Sequence, residues 1–516
     1  MTATPAPILA DLARDASWVT LLVFALDWLI RIGLSVRVVM RRTGVGEALS
    51  WLTIVLLLPF AGAVIYLVLG ENRLGTHRAR ETVRLHRAHA GSRSALRRRP
   101  TTGSPAVPDD LPPDARAIHR QAQHITELPA LPGNALELIS DSHEALARLA
   151  EDIDAARERC HLEFFIWSDG GAVDGVVEAL VRAAERGVAC RVLVDAVGGK
   201  GFFRGGRSSR RRLRAAGVEV VASLPAGLFR AVLRRLDLRN HRKLAVIDGR
   251  VAYTGSLNMI DPATFKADAG VGAWVDAMVR VEGSAAEALD LTFREDWQLE
   301  TDEDLPPLTR RPARNAPPDD DGVAPEVAAA ISGGGGAVQV VPSGPILHPE
   351  SIHRLLIASI YAARDNVTLT TPYFVPDESL LIALTSAAAR GVDTLVVLPE
   401  RSDSFLVRHA SSAYLGELLA AGVKVAKFRG GLLHTKSVTV DGHLSLFGTV
   451  NLDMRSFYLN FELTLLVYGR DFTRRLTSLQ QSYVVQSNMA RLDDWRRRPF
   501  PTRLLDNTAR LLGPLL

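Results

Sequence analysis

His434-Thr435-Lys436-Ser437-Val438-Thr439-Val440-Asp441, followed by Gly448-Thr449-Val450-Asn451, is the stretch on which the reading of this 516-residue chain turns. In an extended segment residues i and i+2 share a face, so His434 and Lys436 point together at whatever lies over the strand. Asp441 sits at an odd offset from the histidine and precedes Gly442, an Asp-Gly pair that signals a tight hairpin. The returning strand brings Asn451 back towards the pair. A lone His beside a Lys is usually an ordinary surface pair. Here, however, the pattern occurs twice: His241-Arg242-Lys243-Leu244-Ala245-Val246-Ile247-Asp248 is followed by Gly249 and then Gly255-Ser256-Leu257-Asn258.

The duplication extends outward from the motifs. Ala155-Ala156-Arg157, the largely apolar run 162–167, Ala183-Ala184-Glu185-Arg186-Gly187-Val188 and Ala215-Ala216-Gly217-Val218 precede the first. Ala362-Ala363-Arg364, the run 367–375, Ala387-Ala388-Ala389-Arg390-Gly391-Val392 and Ala420-Ala421-Gly422-Val423 precede the second. Each series predicts helix, strand, helix, a glycine at the helix end, then strand. Helices alternating with short β-branched runs such as 191–194 and 394–398 predict an α/β fold, a sheet covered by helices on both faces.

A phosphodiester is anionic and resists nucleophiles. A catalyst must neutralise the phosphoryl oxygens and protonate the departing alkoxide. Lys243, Lys436, Asn258 and Asn451 converging on one phosphate would do the first, and a protonated histidine the second. The other histidine, neutral, would attack phosphorus and form a phosphohistidine. Neither half holds both groups, so the site is expected where the two repeats meet. Ser256 and Thr449, after the motif glycines, are placed to hydrogen-bond near the phosphate.

Two H-x-K-x4-D motifs, each followed by Gly-[Ser/Thr]-x-Asn, resemble the phospholipase D superfamily. From about Trp18 onward the order of features, including Arg239-Asn240-His241-Arg242-Lys243 and Gly430-Gly431-Leu432-Leu433-His434-Thr435-Lys436, resembles bacterial cardiolipin synthases of the two-motif type. That resemblance implies two fused phospholipase D-like repeats, a mixed sheet flanked by helices, behind an N-terminal two-helix membrane anchor. It implies transfer of a phosphatidyl group from one phosphatidylglycerol to another, giving cardiolipin and glycerol, with no metal or other cofactor. His241, Lys243, Asp248, His434, Lys436 and Asp441 are the implied catalytic set, although the odd offset and the turn give Asp248 and Asp441 a mainly structural role. Asp276 and Glu462, each on a later strand, are the implied orienters, Asp276 for His241 and Glu462 for His434. By the same resemblance His241 attacks and His434 is the acid. Arg239 and Arg242 beside His241 would favour its neutral form.

Residues 1–75 read as an anchor with two transmembrane helices. Residues 18–40 carry Asp27 and Arg31 four apart on one face, and the stretch 48–69 has no charge but contains Pro59. Two spans and the arginines after the second predict a multi-pass protein of the bacterial cell membrane with its catalytic region in the cytoplasm. Residues 76–116 read as a basic, Pro-rich tether, 117–299 as repeat 1, 300–335 as a linker, 336–490 as repeat 2 and 491–516 as an amphipathic C-terminal segment. The net charge is only +4, so partners are read from local clusters. The basic-aromatic stretches 200–214 and 227–239 suit either solvated helix faces or anionic membrane lipid. Cys160 and Cys190 are too few for a disulfide framework and read as buried thiols. The partners expected are phosphatidylglycerol and anionic membrane lipid, with no nucleic acid. Two other chemistries remain open: hydrolysis of phospholipid by the same phosphohistidine, and a membrane-bound nuclease of the superfamily.

Overall fold

A computed structural model describes residues 6–41, 45–70, 76–97, 112–205, 209–225, 238–306, 336–347 and 349–513. Most of the predicted linker 300–335, the tether residues 98–111 and the basic residues 227–237 fall outside that set. The chain divides into a small N-terminal unit and a large unit that starts at His77.

In the small unit a helix runs from Ala6 to Met40, and its portion Trp18–Met40 is long and apolar enough to cross a membrane. Among the described residues it is the one helix of that kind. The expected second span is therefore corrected. Residues 48–69 do not form one helix but belong to two short ones, Val45–Leu57 and Ala61–Leu69. The cause is Pro59, which cannot donate to the helical ladder, followed by Phe60 at φ 50°. Thirteen residues at ~1.5 Å each reach about 20 Å, short of a ~30 Å hydrocarbon core. The freed Phe60 N–H donates to Asp27 Oδ1 at 3.0 Å, and Asp27 pairs with Arg31 at 2.6 Å. With the second span goes the multi-pass assignment, and with it the argument that both termini lie on one side. The protein is membrane-associated through one apolar helix.

The large unit is built on one fifteen-stranded sheet. Its strands, in chain order, are β1 (Leu131–Ile139), β2 (Arg159–Phe164), β3 (Ala189–Asp195), β4 (Glu219–Ser223), β5 (Lys243–Ile247), β6 (Val251–Gly255) and β7 (Met278–Gly283) in the first half. The second half supplies β8 (Gly336–Ser343), β9 (Asn366–Thr370), β10 (Asp393–Pro399), β11 (Lys424–Phe428), β12 (Ser437–Val440), β13 (Leu444–Gly448), β14 (Glu462–Tyr468) and β15 (Ser487–Met489). The spatial order is β15-β11-β10-β9-β12-β13-β14-β8-β1-β7-β6-β5-β2-β3-β4. Reading outward from the β8–β1 junction, each of the seven first-half strands has its counterpart in the second half, which adds the edge strand β15. β2-β3-β4 and β9-β10-β11 are parallel, and the motif hairpins β5–β6 and β12–β13 are antiparallel.

Both faces are covered, as the alternation demands. In β5, Leu244 and Val246 enter one core and Ala245 and Ile247 another. Helices Ser142–Asp154 and Val173–Glu185 cover one face of the first half, and Ser351–Ala362 and Glu378–Ala389 the matching face of the second. On the opposite face helix Ser284–Thr301 shares a single core with residues of both halves, among them Val281, Val340, Leu463 and Leu465. The repeats are thus one packed body.

The tether reading also needs correction. Residues 76–97 form helices Thr76–Ala88 and Ala90–Arg97, docked on helix Ser284–Thr301 through Arg78 with Glu300 at 2.6 Å and Arg93 with Glu295. Helix Pro113–Thr126 buries Ala115, Ile118 and Ala122 in the core of the second half rather than the first. In the basic stretch 200–214, Phe202 is a core residue against Trp167, and Arg210 lies over Phe203. The aromatics there face inward.

Candidate active site

The chain just before each motif histidine pairs, across the repeats, with the chain just before the opposite carboxylate. Leu432 and Leu433 form a parallel ladder with Trp274 and Val275, and His434 N–H donates to Val275 O at 2.8 Å. Asn240 bridges Phe461, and His241 N–H donates to Phe461 O at 2.9 Å. Gly431, at φ 130°, meets Ala273 so closely that a Cβ there would stand 2.3 Å from its carbonyl oxygen. Only glycine suits both the conformation and the approach.

These ladders decide the orienters. His241 Nδ1 lies 2.8 Å from Glu462 Oε1, and His434 Nδ1 lies 2.6 Å from Asp276 Oδ1. The pairing expected from the sequence, Asp276 with His241 and Glu462 with His434, is reversed. Each repeat supplies the carboxylate for the other repeat's histidine. With Nδ1–H donated to a carboxylate, Nε2 is left as the acceptor or nucleophilic atom. His241 packs edge-on against Phe165, ring centres 5.0 Å apart, and His434 lies tilted against Trp274 at 4.5 Å.

Both rings are buried, and burial pulls each down to about 4, partly offset by its carboxylate. Each also feels the lysine of the other motif, so the two motifs converge on one charged cluster. Arg239 and Arg242 do not set His241 apart. Arg239 stands 3.8 Å from Asp195, while Arg242 is held by Asp296 and donates to Glu462 O at 3.1 Å. The electrostatic distinction expected between the two histidines is absent.

Lys243 and Lys436 each fold back to donate to the carbonyl of their own motif histidine, at 2.8 and 2.6 Å. Burial lowers Lys243 to about 8 and Lys436 to about 7. Asn258 and Asn451 are buried; Asn258 Oδ1 accepts from Ile166 N–H, and Asn451 Oδ1 has no donor among the described residues. Ser256 and Thr449 bond elsewhere than the sequence suggested. Thr449 Oγ1 donates to Glu462 Oε2 at 2.5 Å, and Ser256 Oγ bonds the Ala277 backbone beside Asp276. They steady the carboxylates. Asp248 and Asp441 stand at the hairpin turns at φ 50° and 47°, accepting backbone N–H bonds from 157–159 and from 364–366. They tie each hairpin to the start of β2 or β9 and, contrary to their place in the implied catalytic set, hydrogen-bond away from the histidines.

Glu163 escapes a reading by composition because it sits inside an apolar run. It is buried against Asn240, whose Nδ2 donates to it, and burial holds its carboxyl well above the usual range. Asp195 accepts from Asn240 N–H at 3.1 Å. Both fix the segment that delivers His241. Among the described residues no group of three or more His, Cys, Asp or Glu side chains is arranged to hold a metal ion.

The sequence profile described as "Cardiolipin synthase, PLD-like domain" matches residues 149–297 and 356–482, and one described as "Phospholipase_D-nuclease N-terminal" matches 29–71. Cardiolipin synthase A of Pectobacterium atrosepticum is 42% identical over 503 residues, covering 97% of this chain and 98% of its own. The chain belongs to the cardiolipin synthase family of the phospholipase D superfamily. Cardiolipin synthase A of Proteus mirabilis, another member, is 41% identical over 501 residues, with the same coverage. The crystal structure of phosphatidylserine synthase from Haemophilus influenzae aligns with a TM-score of 0.58 at 14% identity, over 78% of this chain and all of that one. That likeness concerns the fold alone.

Proposed function

We propose that the two motif histidines of this cardiolipin synthase family member act as one pair on one phosphodiester. The chain is a phosphatidyltransferase: it moves a phosphatidyl group from one phosphatidylglycerol to another and releases glycerol. The observation that carries the site assignment is the crossed carboxylate pairing, which turns the two Nε2 atoms away from the carboxylates, with Lys243 and Lys436 close enough to act on both rings.

In the first step Nε2 of His241 attacks phosphorus. The bond from phosphorus to the headgroup glycerol breaks, and His434 gives its proton to the departing oxygen. Before lipid binds, burial keeps both rings neutral. The negative phosphodiester raises their proton affinity, so one proton enters with the lipid. In the second step a headgroup hydroxyl of another phosphatidylglycerol loses its proton to His434 and attacks the phosphohistidine, forming cardiolipin and freeing His241. The lysines and asparagines stabilise the charge on the phosphoryl oxygens. The exchange of one phosphodiester for another needs no nucleotide.

The order of roles rests on the family resemblance, since the two pockets have like electrostatics. Trapping with phosphorus-labelled phosphatidylglycerol, a quench that spares the acid-labile adduct, and peptide mapping test it. Label is expected on the peptide containing His241. Label on the His434 peptide would reverse the roles, and label on neither would remove the covalent step.

A further inference from the structure

Helix Phe500–Leu511 docks on helix Phe405–Ala420 by one face only. Asp506, buried, accepts from His409 Nδ1 at 2.7 Å, and Ala509 enters a small core with Ala410 and Val375. On the other side Phe500, Leu504 and Leu511 are 73%, 55% and 77% exposed among the described residues. At 100° per residue these three fall within about 40° of one another on the helix, with Leu505 and Leu512 extending the apolar arc. Arg503 and Arg510, both exposed, border it. Between Arg491 and Leu512 there are six arginines and three aspartates, and one of those aspartates, Asp506, is buried. An apolar stripe edged with arginine is the pattern of a helix lying in the boundary of an anionic bilayer.

The stripe continues towards the site. His409 meets Asp506, and Arg510 lies over Tyr414, so the two helices run in the same direction. Phe405 and Leu406, one turn before His409, are exposed at the end where Phe500 begins the C-terminal helix. Asp403, two residues earlier, accepts from Tyr373 Oη at 2.8 Å and from Lys266 Nζ at 3.1 Å. Lys266 lies over Trp274, the ring against which His434 packs. Two residues along the chain from the exposed Phe405, Asp403 thus begins a short run of side-chain contacts that reaches His434.

We infer that helix Phe500–Leu511, together with Phe405 and Leu406, is the surface by which the catalytic unit itself lies on an anionic membrane, with the His434 side of its site turned towards the lipid. The physical reading of the surface stands on its own; its bearing on turnover rests on the function proposed above. The test uses the full chain in vesicles of phosphatidylglycerol and phosphatidylcholine. Cys160 and Cys190 are buried, so a Leu504→Cys variant takes a fluorescent label at one place. Quenching by lipid spin-labelled near the headgroup is expected at 504 and not in Ser478→Cys, an exposed position on helix Arg470–Val485, which buries Phe472 and Leu476 in the core shared with helix Ser284–Thr301 on the opposite face of the sheet. Equal quenching at the two positions, or energy transfer between labels at 504 without lipid quenching, which would make a second copy the occupant, overturns the inference. The double variant Leu504→Asp, Leu511→Asp is expected to raise the apparent KM for vesicular phosphatidylglycerol about tenfold, with turnover of a short-chain, dissolved substrate unchanged. An unchanged KM also overturns it. Loss of activity in the unaltered chain would instead sink the proposed reaction and leave the quenching result standing.

Discussion

Lys436 and Lys243 carry the alkaline part of the pH dependence. They are held at about 7 and about 8, chiefly by burial, and their charge is lost as pH rises through those values. Because one proton enters with the lipid onto a histidine held near 4, kcat/KM for phosphatidylglycerol should decline as pH rises above about 4 and more steeply from about pH 7, where the lysines begin to lose their charge. A rate profile that stays level from neutral to well above pH 8 would contradict the role given to the lysines. Lys243→Ala and Lys436→Ala should each raise the barrier by ~2.7–4 kcal/mol if they act like other donors to a developing oxyanion. Asp441→Ala behaves differently. It removes the acceptor of three solvent-exposed backbone N–H groups, each such bond contributing about 0.5–1.5 kcal/mol net. Denaturant midpoints should drop while turnover per folded molecule holds, and a variant as stable as its parent but inactive would return Asp441 to the chemistry.

The short cross-repeat ladders do what neither motif can do alone. Leu432–Leu433 against Trp274–Val275, and Asn240 against Phe461, set each histidine beside the other half's carboxylate. Glu462→Gln is expected to weaken His241 as nucleophile and Asp276→Asn to weaken His434 as acid and base, each slowing formation of the phosphohistidine by about 10²–10⁴-fold. Rapid-quench kinetics check both: labelled adduct should form slowly in either variant. Adduct forming at the unaltered rate in Glu462→Gln would argue against the crossed pairing. At this scale the limits of the sequence are plain. The His-x-Lys face was legible because a strand has period two, and the Asp-Gly turn because its backbone is unusual. The partner of each histidine was not, because it depends on a ladder between segments more than 150 residues apart in the chain. Pro59 outweighed the absence of charge in 48–69, and arginines read as a tether turned out to anchor two helices by ion pairs.

At the scale of the molecule, duplication makes a single site out of two incomplete ones. The shared core under helix Ser284–Thr301 holds residues of both halves, so the geometry between His241 and His434 depends on packing that neither half completes. Phe293 and Trp297 are fully buried there, and Phe293→Ala should cost about 3–5 kcal/mol, read as a loss of thermal stability shared by both repeats. Separate melting of two halves would contradict a common core. Membrane association through one apolar helix leaves the site acting on lipid. The account is tested most directly by the products that the purified full chain makes from labelled phosphatidylglycerol in vesicles. Cardiolipin and free glycerol in equal amounts are predicted, with neither formed by His241→Ala or His434→Ala. Accumulation of phosphatidate in place of cardiolipin, or substantial synthesis by either single variant, would contradict it.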